Sequence, residues 1–246
     1  MKKIQFQGLG VQAKRTIKAF AMLAFGLNLV ACSGNPYEET ADRMDVVTIG
    51  DSIFDLNGVI ENTIYGYAGQ TFRNYTQSGA ELAGGSFATP VERQYTDAKS
   101  RANINTILMD GGGNDILIPA MVFDPYGCRT HWWRWRISSS CVNLIQDQYV
   151  TAVNLLNRMH ADGVDNVVWL GYYDLPRGNA NLTQALNYGD DLLGYACEVS
   201  GNANCQFVDP RGTVPASQVE SDDIHPTSAG SVNLANQIWP VLQPLL

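Results

Sequence analysis

Short apolar runs rich in β-branched residues recur along the chain, separated by longer segments in which apolar residues follow a helical spacing. An apolar run of this length is typical of a strand that is buried on both faces of a sheet. The first, "DVVTIG", is followed by four similar runs. The predicted strands occupy residues 45–50, 71–76, 104–110, 166–171 and 206–209.

The clearest helical segment, residues 142–160, has six apolar residues on one face and is ended by "ADG". These residues are Val142, Ile145, Tyr149, Val153, Leu156 and Met159. A last helix is predicted over about 227–239, and we expect Pro240 to break it because proline lacks the N–H of a helix interior. Strands that alternate with helices predict a parallel sheet covered on both faces.

The first 31 residues have the organisation of an export signal. Residues 1–18 carry five basic residues and no acidic one, and the apolar run at 19–31 is shorter than the roughly 20 residues of a membrane-spanning helix. The tetrapeptide "LVAC" resembles the lipobox of bacterial lipoproteins, in which the chain is cut before the cysteine and that cysteine is acylated. The resemblance implies that Cys32 is a lipid anchor. A soluble secreted protein cut near the same place is the alternative.

The rest of the chain fits a tether and one domain. Residues 32–44 are polar and acidic without apolar periodicity, as expected of a tether, and residues 45–246 are long enough for one α/β domain with its own core. By resemblance to known lipoproteins, Ser33 after the anchor favours the outer membrane. We therefore predict an exported lipoprotein of the bacterial outer membrane.

The charge of the chain beyond the predicted signal is strongly negative. Five of the 16 Lys and Arg residues precede residue 19, so that eleven basic residues face 24 acidic ones, a net charge of −13. A polyanion would be repelled by this field, and no basic run lies outside the signal. The sequence thus argues against nucleic acid as a partner.

Four cysteines follow the predicted anchor, and an even number in an exported protein favours disulfides. Three pairings are possible. The simplest joins sequence neighbours, Cys128 with Cys141 and Cys197 with Cys205. None of the four lies in a CxxC motif or at a Cys and His spacing that suits zinc, so we predict no metal site.

The first predicted strand leads directly into "GDS" at residues 50–52. A turn of this composition often does no more than cap a helix. In open parallel sheets, however, ligands bind beyond the carboxyl ends of the strands, which is where the hydroxyl of Ser52 would emerge. Ser52 is therefore a candidate nucleophile, and it needs a base to accept its proton.

A candidate base lies between the last strand and the last helix, in "SDDIHPTSAG" at 221–230. His225 would follow the last strand, whereas His160 near the end of the long helix and His131 in a Trp-rich segment have no such placement. Asp222 lies three residues before His225 and can hold its other ring nitrogen, and the adjacent Asp223 can compete. A polar loop that caps the last helix is the alternative.

Two further loops could bind a developing negative charge. "MDGGGNDI" at 109–116 ends the third strand, where the glycines would let a ligand approach the backbone and Asn114 could donate a hydrogen bond. "NYTQSGAE" at 74–81 places Gly79 just beyond the second strand. Each loop alone has a structural explanation. Their joint occurrence after successive predicted strands favours a site.

These motifs resemble those of the SGNH subgroup of the GDSL-type esterases and lipases, which is named for one Ser, Gly, Asn and His in separate blocks. In this chain "GDS" supplies Ser52, "SGA" supplies Gly79, "GGND" supplies Asn114 and "DDIH" supplies Asp222 and His225. The resemblance covers residues 45 to about 240.

Two positions depart from the family pattern. Ile53 stands where the family name has leucine, and Thr227 stands where asparagine is frequent. The first exchange keeps an apolar residue, and the second concerns the cap of the last helix. Neither alters the chemistry that the resemblance implies.

The resemblance implies a three-layer α/β/α hydrolase with a flavodoxin-like parallel five-stranded sheet, a shallow site and neither metal nor other cofactor. Ser52 would attack an ester carbonyl, with His225 as base and then acid, oriented by Asp222. The N–H groups of Ser52 and Gly79 and the amide of Asn114 would bind the oxyanion.

The segment between Cys128 and Cys141 combines tryptophans with arginines, in "RTHWWRWRISSS". Trp132, Trp133 and Trp135 either pack over the edge of the domain or form a lid or interfacial patch that contacts substrate. The sequence leaves both alternatives open.

The leading hypothesis is a lipid-anchored serine esterase that hydrolyses carboxylic esters of short or medium acyl chains or lysophospholipids. The partners would be a small-molecule or lipid ester and, through the anchor, a membrane. One alternative is an O-acetylesterase of cell-wall or dietary polysaccharide, because specificity resides in loops rather than in the fold. The other is a non-catalytic envelope lipoprotein that binds a glycan or a partner. The sequence does not indicate an oligomeric state.

Overall fold

A parallel sheet of five strands organises the part of the chain that the computed structural model describes, residues 37–85, 87–201 and 204–246. The strands are β1 (Arg43–Ile49), β2 (Phe72–Asn74), β3 (Thr106–Met109), β4 (Asn166–Leu170) and β5 (Asn204–Val208). Every neighbouring pair is parallel, and the order is β2-β1-β3-β4-β5. This is the flavodoxin-like order, so the predicted fold class is confirmed.

Helices cover both faces of the sheet in this part of the chain. They are α1 (Ser52–Asp55), α2 (Val59–Ala68), α3 (Val91–Arg101), α4 (Gly113–Val122), α5 (Ser139–Ala161), α6 (Ala180–Val199) and α7 (Ser228–Leu242). Helices α1, α2 and α7 contribute to the apolar core on one face, and α3, α5 and α6 to the core on the other. Helix α4 packs with α5 and α6 in a third, smaller cluster.

Alternation along the strands produces the two main cores, because successive side chains of a strand point to opposite faces. In β3, Ile107 and Met109 face the core of α3, α5 and α6, and Leu108 between them faces the other core. Strand β4 repeats the pattern with Trp169, which is completely buried, and Val168. Both cores thus depend on continuously apolar strands, as the sequence predicts.

The chain joins the sheet before the predicted domain boundary at residue 45. Strand β1 begins at Arg43, and the backbone of Glu38 exchanges hydrogen bonds of 2.8 and 3.0 Å with that of Asn74 at the end of β2. The ring of Tyr37 lies 4.6 Å from that of Tyr75. Residues 37–38 and 43–44 of the predicted tether are therefore joined to the sheet. The predicted signal at 1–31 and the anchor Cys32 lie outside the described residues.

The predicted end of the last helix is wrong. Helix α7 passes through Pro240 to Leu242, followed by a 3₁₀ turn over Gln243–Leu245. Proline removes a single helical hydrogen bond. Ile238 and Leu242, both completely buried in the core, flank that position and hold the helix together.

Both disulfides follow the simplest pairing, Cys128 with Cys141 and Cys197 with Cys205. The first closes the Trp-rich loop onto the start of α5, and the second ties the end of α6 to β5. No helix among the described residues is long and apolar enough to cross a bilayer.

The strand order also positions a crevice. The chain leaves β1 to form β2 on one side and later returns to form β3 on the other side of β1. Connections that diverge in this way open a crevice at the carboxyl ends of the two strands, where ligands bind in open α/β sheets. The segments after β1 and β3 are the GDS and GGGND motifs.

Candidate active site

Ser52 is placed by a sharp turn at the end of β1. Asp51 precedes the short helix α1 as its N-cap, and its carboxylate accepts a hydrogen bond of 3.0 Å from the backbone N–H of Ile53. Ser52 is therefore the first residue of the helix and is only 8% exposed. The hydroxyl is thus presented at the carboxyl edge of the sheet on a fixed backbone.

Gly50 makes this turn possible, because its φ of +153° suits glycine and leaves no space for a side chain. A Cβ at this position would lie 1.8 Å from Oδ1 of Asp110 at the end of β3. The buried amide of Gln94 brackets the same residue. It accepts from the Gly50 N–H at 2.7 Å and donates to the Gly50 carbonyl at 2.9 Å.

His225 faces Ser52 from the loop that precedes α7. Its Nε2 lies 3.0 Å from the Ser52 Oγ, and its side chain is almost completely buried. The loop is pinned by hydrogen bonds from the Glu220 N–H to the His225 carbonyl at 2.8 Å and from the Tyr173 hydroxyl to the Ile224 carbonyl. The imidazole is therefore held in reach of the hydroxyl across 173 residues of sequence.

Asp222 holds the other side of the imidazole. Its Oδ2 lies 2.6 Å from His225 Nδ1, and its Oδ1 accepts from the backbone N–H groups of Ile224 at 2.9 Å and His225 at 3.0 Å. Partial burial tends to raise the pKa of Asp222, but these hydrogen bonds outweigh it and lower the pKa below its ordinary value. An ionised carboxylate only accepts, so Nδ1 carries the proton and Nε2 is free to accept one from Ser52.

The neighbouring Asp223 does not compete for the imidazole. Its backbone has a left-handed φ of 66°, and its carboxylate accepts a hydrogen bond of 2.5 Å from Nε of Arg177. Of the two adjacent acids, only Asp222 contacts His225.

Asn114 is hydrogen-bonded to the loop that carries Gly79. Asn114, the second residue of α4, donates from Nδ2 to the carbonyl of Ala80 at 2.9 Å. An amide has two such hydrogens, so the second one of Asn114 does not bind the Ala80 carbonyl. Gly79 is half-buried, and within the described residues neither its N–H nor that of Ser52 donates a hydrogen bond to the protein. These donors are the ones that the resemblance assigns to an oxyanion.

The loop that carries Gly79 is held by two acidic residues that the sequence analysis did not single out. Asp55 accepts from the N–H and the hydroxyl of Ser78 at 2.7 and 2.6 Å, and Asp115 accepts from the N–H of Leu82 at 2.8 Å. Burial raises the pKa of Asp115 to about 7, although the Leu82 N–H works in the opposite direction. The only signal for these roles is their position, each in the first turn of a helix that leaves a strand.

Two glycines of the GGGND motif, Gly112 and Gly113, lie against side chains of neighbouring elements. A Cβ on Gly112 would lie 2.2 Å from Nε2 of Gln148, and one on Gly113 would lie 2.5 Å from the Tyr172 ring. Side chains of the protein therefore approach this backbone closely. These glycines allow α4 to start in close contact with the segment after β4 and with the middle of α5. The expectation that this loop lets a ligand approach stays a prediction.

A buried acidic pair lies beneath Ser52. Oδ1 of Asp110 accepts from the backbone N–H of Asp51 at 2.6 Å, and Asp51 also accepts from the hydroxyl of Tyr172. Burial, together with the charge of Asp51, raises the pKa of Asp110 well above its ordinary value. The hydrogen bond from the Asp51 N–H to Asp110 fixes the peptide that precedes Ser52.

The Trp-rich loop is exposed to solvent. Trp132 is 83% and Trp135 80% exposed, so the alternative in which these side chains pack over the domain edge is wrong. His131 of this loop contacts Asp124 at 3.1 Å, and His160 is exposed near the end of α5. Among the described histidines, only His225 contacts Ser52.

A polar cavity of about 320 Å³ lies beside α1, on the side of β2. Its lining includes Glu38, Asp55, Glu61, Asn62, Asn74 and Thr76. Asp55 belongs both to this lining and to the support of the Gly79 loop, so the cavity adjoins the candidate oxyanion site.

Glu61 is the most deeply buried acid of this cavity. One carboxyl oxygen accepts a long hydrogen bond of 3.4 Å from Asn74, and the other has no partner within residues 37–85, 87–201 and 204–246. Burial raises its pKa from 4.5 to about 8, and the negative charges of Asp55 and Glu38 add to the effect. Glu61 is therefore protonated at neutral pH.

The Glu61→Gln variant is expected to become more stable than the wild type as the pH rises. The folded protein keeps the Glu61 proton up to about pH 8, whereas the unfolded chain releases it near pH 4.5. The contribution of the Glu61 proton to the stability of the wild type is thus present below pH 4.5 and is lost as the pH rises towards 8. The loss lowers the free energy of unfolding by an amount on the order of 4 kcal/mol. Glutamine avoids this loss. Urea unfolding at pH 5 and pH 9 measures the difference.

The exposed Glu198 provides the control. Glu198→Gln is expected to follow the wild type at both pH values. If the free energy of unfolding differs between Glu61→Gln and the wild type by the same amount at pH 5 and pH 9, the folded protein does not hold a proton on Glu61.

No family model matches the chain, and no curated protein matches its sequence. Solved structures do match. LAE5, an α/β hydrolase enzyme from the metagenome of Lake Arreo in Spain, is 19% identical with a TM-score of 0.58, over 82% of this chain and 95% of its own.

Two further structures extend the comparison. A member of the lipolytic G-D-S-L family from Veillonella parvula is 17% identical with a TM-score of 0.57, over 80% of this chain and 97% of its own. A carbohydrate esterase of family 3 from Talaromyces cellulolyticus is 18% identical with a TM-score of 0.54, over 81% and 96%. At these identities the likeness concerns the fold, and this chain is similar in fold to esterases and lipases of the GDSL type.

Proposed function

We propose that the protein is a serine hydrolase of carboxylic esters. The observation that carries the proposal is the continuous contact from Asp222 through His225 to Ser52, with distances of 2.6 and 3.0 Å. Such an arrangement activates a serine, because the imidazole accepts the hydroxyl proton and the carboxylate stabilises the resulting imidazolium. A module that only binds a glycan or a partner has no chemical reason to keep these groups aligned.

The first half of the reaction acylates the enzyme. The Ser52 Oγ forms a bond to the ester carbonyl carbon while His225 Nε2 takes the hydroxyl proton. The carbonyl oxygen becomes an oxyanion, which the N–H groups of Ser52 and Gly79 and the Asn114 amide stabilise. The bond to the leaving alcohol then breaks, and His225 returns the proton to that alcohol.

The second half releases the acid. A water molecule gives a proton to His225 and attacks the acyl carbon, forming the same kind of oxyanion. When the bond to Ser52 breaks, the imidazolium returns the proton to Oγ. The sum is ester and water to acid and alcohol.

The proposed substrates are esters with short or medium acyl chains, including lysophospholipids. A polysaccharide O-acetylesterase is the second candidate. Two observations favour it: the polar cavity beside the Gly79 loop, which suits a hydroxyl-rich alcohol moiety, and the fold shared with a carbohydrate esterase. Both candidates use the same catalytic groups and differ in which side of the ester is recognised.

A series of p-nitrophenyl esters from acetate to decanoate, compared with an acetylated polysaccharide, separates the two candidates. The leading proposal predicts that kcat/KM rises with acyl length to an optimum beyond acetate. Turnover restricted to acetate, together with faster release of acetate from the polysaccharide, would replace the leading proposal with the second. Absence of turnover on all of them by the folded protein would contradict both.

We also propose that the protein is exported and anchored to the outer membrane through an acylated Cys32. The support is the sequence pattern of residues 1–33 alone. Metabolic labelling with an alkynyl fatty acid is expected to mark the wild type and not the Cys32→Ser variant. Equal labelling of the two proteins, or of neither, would contradict the anchor.

A further inference from the structure

An exposed apolar surface lies at the end of α4 and on the loop that follows it. We call it the aromatic surface. Its seven residues are Met121, Val122, Phe123, Tyr126, Trp132, Trp133 and Trp135. All are more than 40% exposed, and Phe123 reaches 88%. An apolar cluster of this kind in an otherwise water-soluble fold usually marks a contact surface.

The aromatic surface is held in place rather than loosely attached. The carboxylate of Asp124 accepts from the backbone N–H of Cys128 at 2.6 Å and contacts His131 Nε2 at 3.1 Å and Arg134 Nη1 at 3.3 Å. The backbones of His131 and Arg134 exchange two hydrogen bonds, and the His131 ring stacks on that of Trp133 at 4.9 Å. The Cys128–Cys141 disulfide closes the loop. The tryptophans are therefore presented outward by a built framework.

Asp124 links the two parts of the aromatic surface. Phe123 immediately precedes Asp124, and the same carboxylate binds the loop that carries the three tryptophans. The aliphatic residues at the end of α4 and the indole rings of the loop are thus joined at one position.

The segment that carries the aromatic surface is basic, in contrast to the rest of the protein. Between residues 116 and 146 there are three basic residues, Arg129, Arg134 and Arg136, and a single acidic one, Asp124, whose carboxylate is paired. The chain beyond residue 31 has a net charge of −13. The segment from 116 to 146 therefore has a net charge of +2 on an acidic protein.

We propose that the aromatic surface binds the surface of a lipid bilayer that contains anionic headgroups. Tryptophan is enriched at the boundary between headgroups and hydrocarbon, and arginine pairs with anionic headgroups while its stem stays in apolar surroundings. Phe123 and Met121 enlarge the apolar area of the aromatic surface beyond what the face of a sugar would cover. The combination of aliphatic, indole and guanidinium groups matches that of interfacial membrane-binding segments.

Helix α4 connects this surface to the catalytic groups. Asn114 is at its start and Val122 at its end, eight residues later, which corresponds to about 12 Å along the axis. A bilayer bound at the aromatic surface would thus lie near the crevice. The proposal does not depend on hydrolysis, since the binding groups are distinct from Ser52, His225 and Asp222.

Quenching of tryptophan fluorescence by brominated lipids tests the proposal with the full chain. The probe is a vesicle of phosphatidylglycerol whose acyl chains carry bromine, and the reference is the same vesicle without bromine. We expect the bromine to reduce the emission of the wild type. The Trp132→Ser/Trp133→Ser/Trp135→Ser variant, which keeps the completely buried Trp169 and the partly buried Trp239, is expected to lose this quenching.

Two control variants complete the test. Val150→Ser/Tyr195→Ser/Val199→Ser removes three exposed apolar residues of α5 and α6. Its fluorescence is expected to be quenched by the brominated vesicles as strongly as that of the wild type. The fluorescence of Arg129→Glu/Arg136→Glu is expected to be quenched less than that of the wild type. Circular dichroism shows whether each variant is folded.

Several results would overturn the proposal. One is equal quenching of the wild type and the tryptophan variant. Others are no quenching of vesicle-bound wild type, or equal quenching by brominated phosphatidylcholine. A tryptophan-dependent fluorescence shift with soluble polysaccharide but no quenching by lipid would assign the surface to glycans. Tryptophan-dependent dimerisation without lipid quenching would assign it to a second copy.

Discussion

Replacing Asp222 with asparagine is expected to lower kcat about 10⁴-fold with little change in KM or in the fold. The amide oxygen would keep the hydrogen bonds from the backbone N–H groups of Ile224 and His225, so an amide N–H would face His225 Nδ1, where a carboxylate oxygen now lies at 2.6 Å. The imidazole would then favour the tautomer with its proton on Nε2, which cannot accept a proton from Ser52. The imidazolium would also lose its counter-charge. Steady-state kinetics on a soluble p-nitrophenyl ester measures the effect.

The adjacent Asp223 is a matched control, because Asp223→Asn makes the same chemical change one residue away. Its carboxylate contacts Arg177 and not the imidazole, so its kcat should stay close to that of the wild type. Equal losses in the two variants would show that the effect arises from the loop as a whole. Near-normal turnover of Asp222→Asn would remove Asp222 from the catalytic group.

The Asn114→Ala variant is expected to lose about 10²- to 10³-fold in kcat, or roughly 2.7 to 4 kcal/mol of transition-state stabilisation. The amide is the side-chain donor of the candidate oxyanion site, and its other hydrogen binds the carbonyl of Ala80 at 2.9 Å. Loss of that hydrogen bond is expected to cost only about 1 kcal/mol of stability. Thermal unfolding and kinetics measured on the same preparation separate the two effects.

Asn154→Ala is the control for this exchange, since Asn154 is exposed on α5. It is expected to keep wild-type turnover. If Asn114→Ala turns over at a near-normal rate while its stability falls, Asn114 only supports the Gly79 loop and does not bind the oxyanion.

The sequence contains enough information to expect Ser52, Asn114 and His225 at one rim of the sheet. Each follows a short apolar run that forms a strand, and the carboxyl ends of parallel strands meet at the same edge. The strand runs were recognisable because both faces of the sheet are buried. Their placement thus depends on local patterns that a single sequence displays.

The groups that hold the site in place were not recognisable in this way. Gln94 lies in the middle of α3, 44 residues from the Gly50 peptide that it brackets, and Tyr172 lies 121 residues from Asp51. Nothing local distinguishes these residues from other polar residues of a helix or a loop. Contacts over such separations follow from how the elements pack, which periodicity does not specify.

The wrong expectation for the last helix and the packing of the glycines after β3 have the same origin. Local rules suggested that Pro240 ends the last helix, and they do not indicate which side chains pack against Gly112 and Gly113. In the structure, the burial of Leu242 carries the helix past the proline, and the rings and amides of neighbouring elements occupy the space next to Gly112 and Gly113. Tertiary packing decided both positions.

Covalent labelling by a fluorophosphonate, followed by mass spectrometry of the peptides, tests the central claim most directly. The reagent reacts with a serine only when a base removes its proton and an oxyanion site stabilises the adduct. We predict a single adduct on Ser52 in the wild type and none in folded Ser52→Ala or His225→Ala. A folded wild type that stays unlabelled, or that is labelled at another serine, would contradict the account.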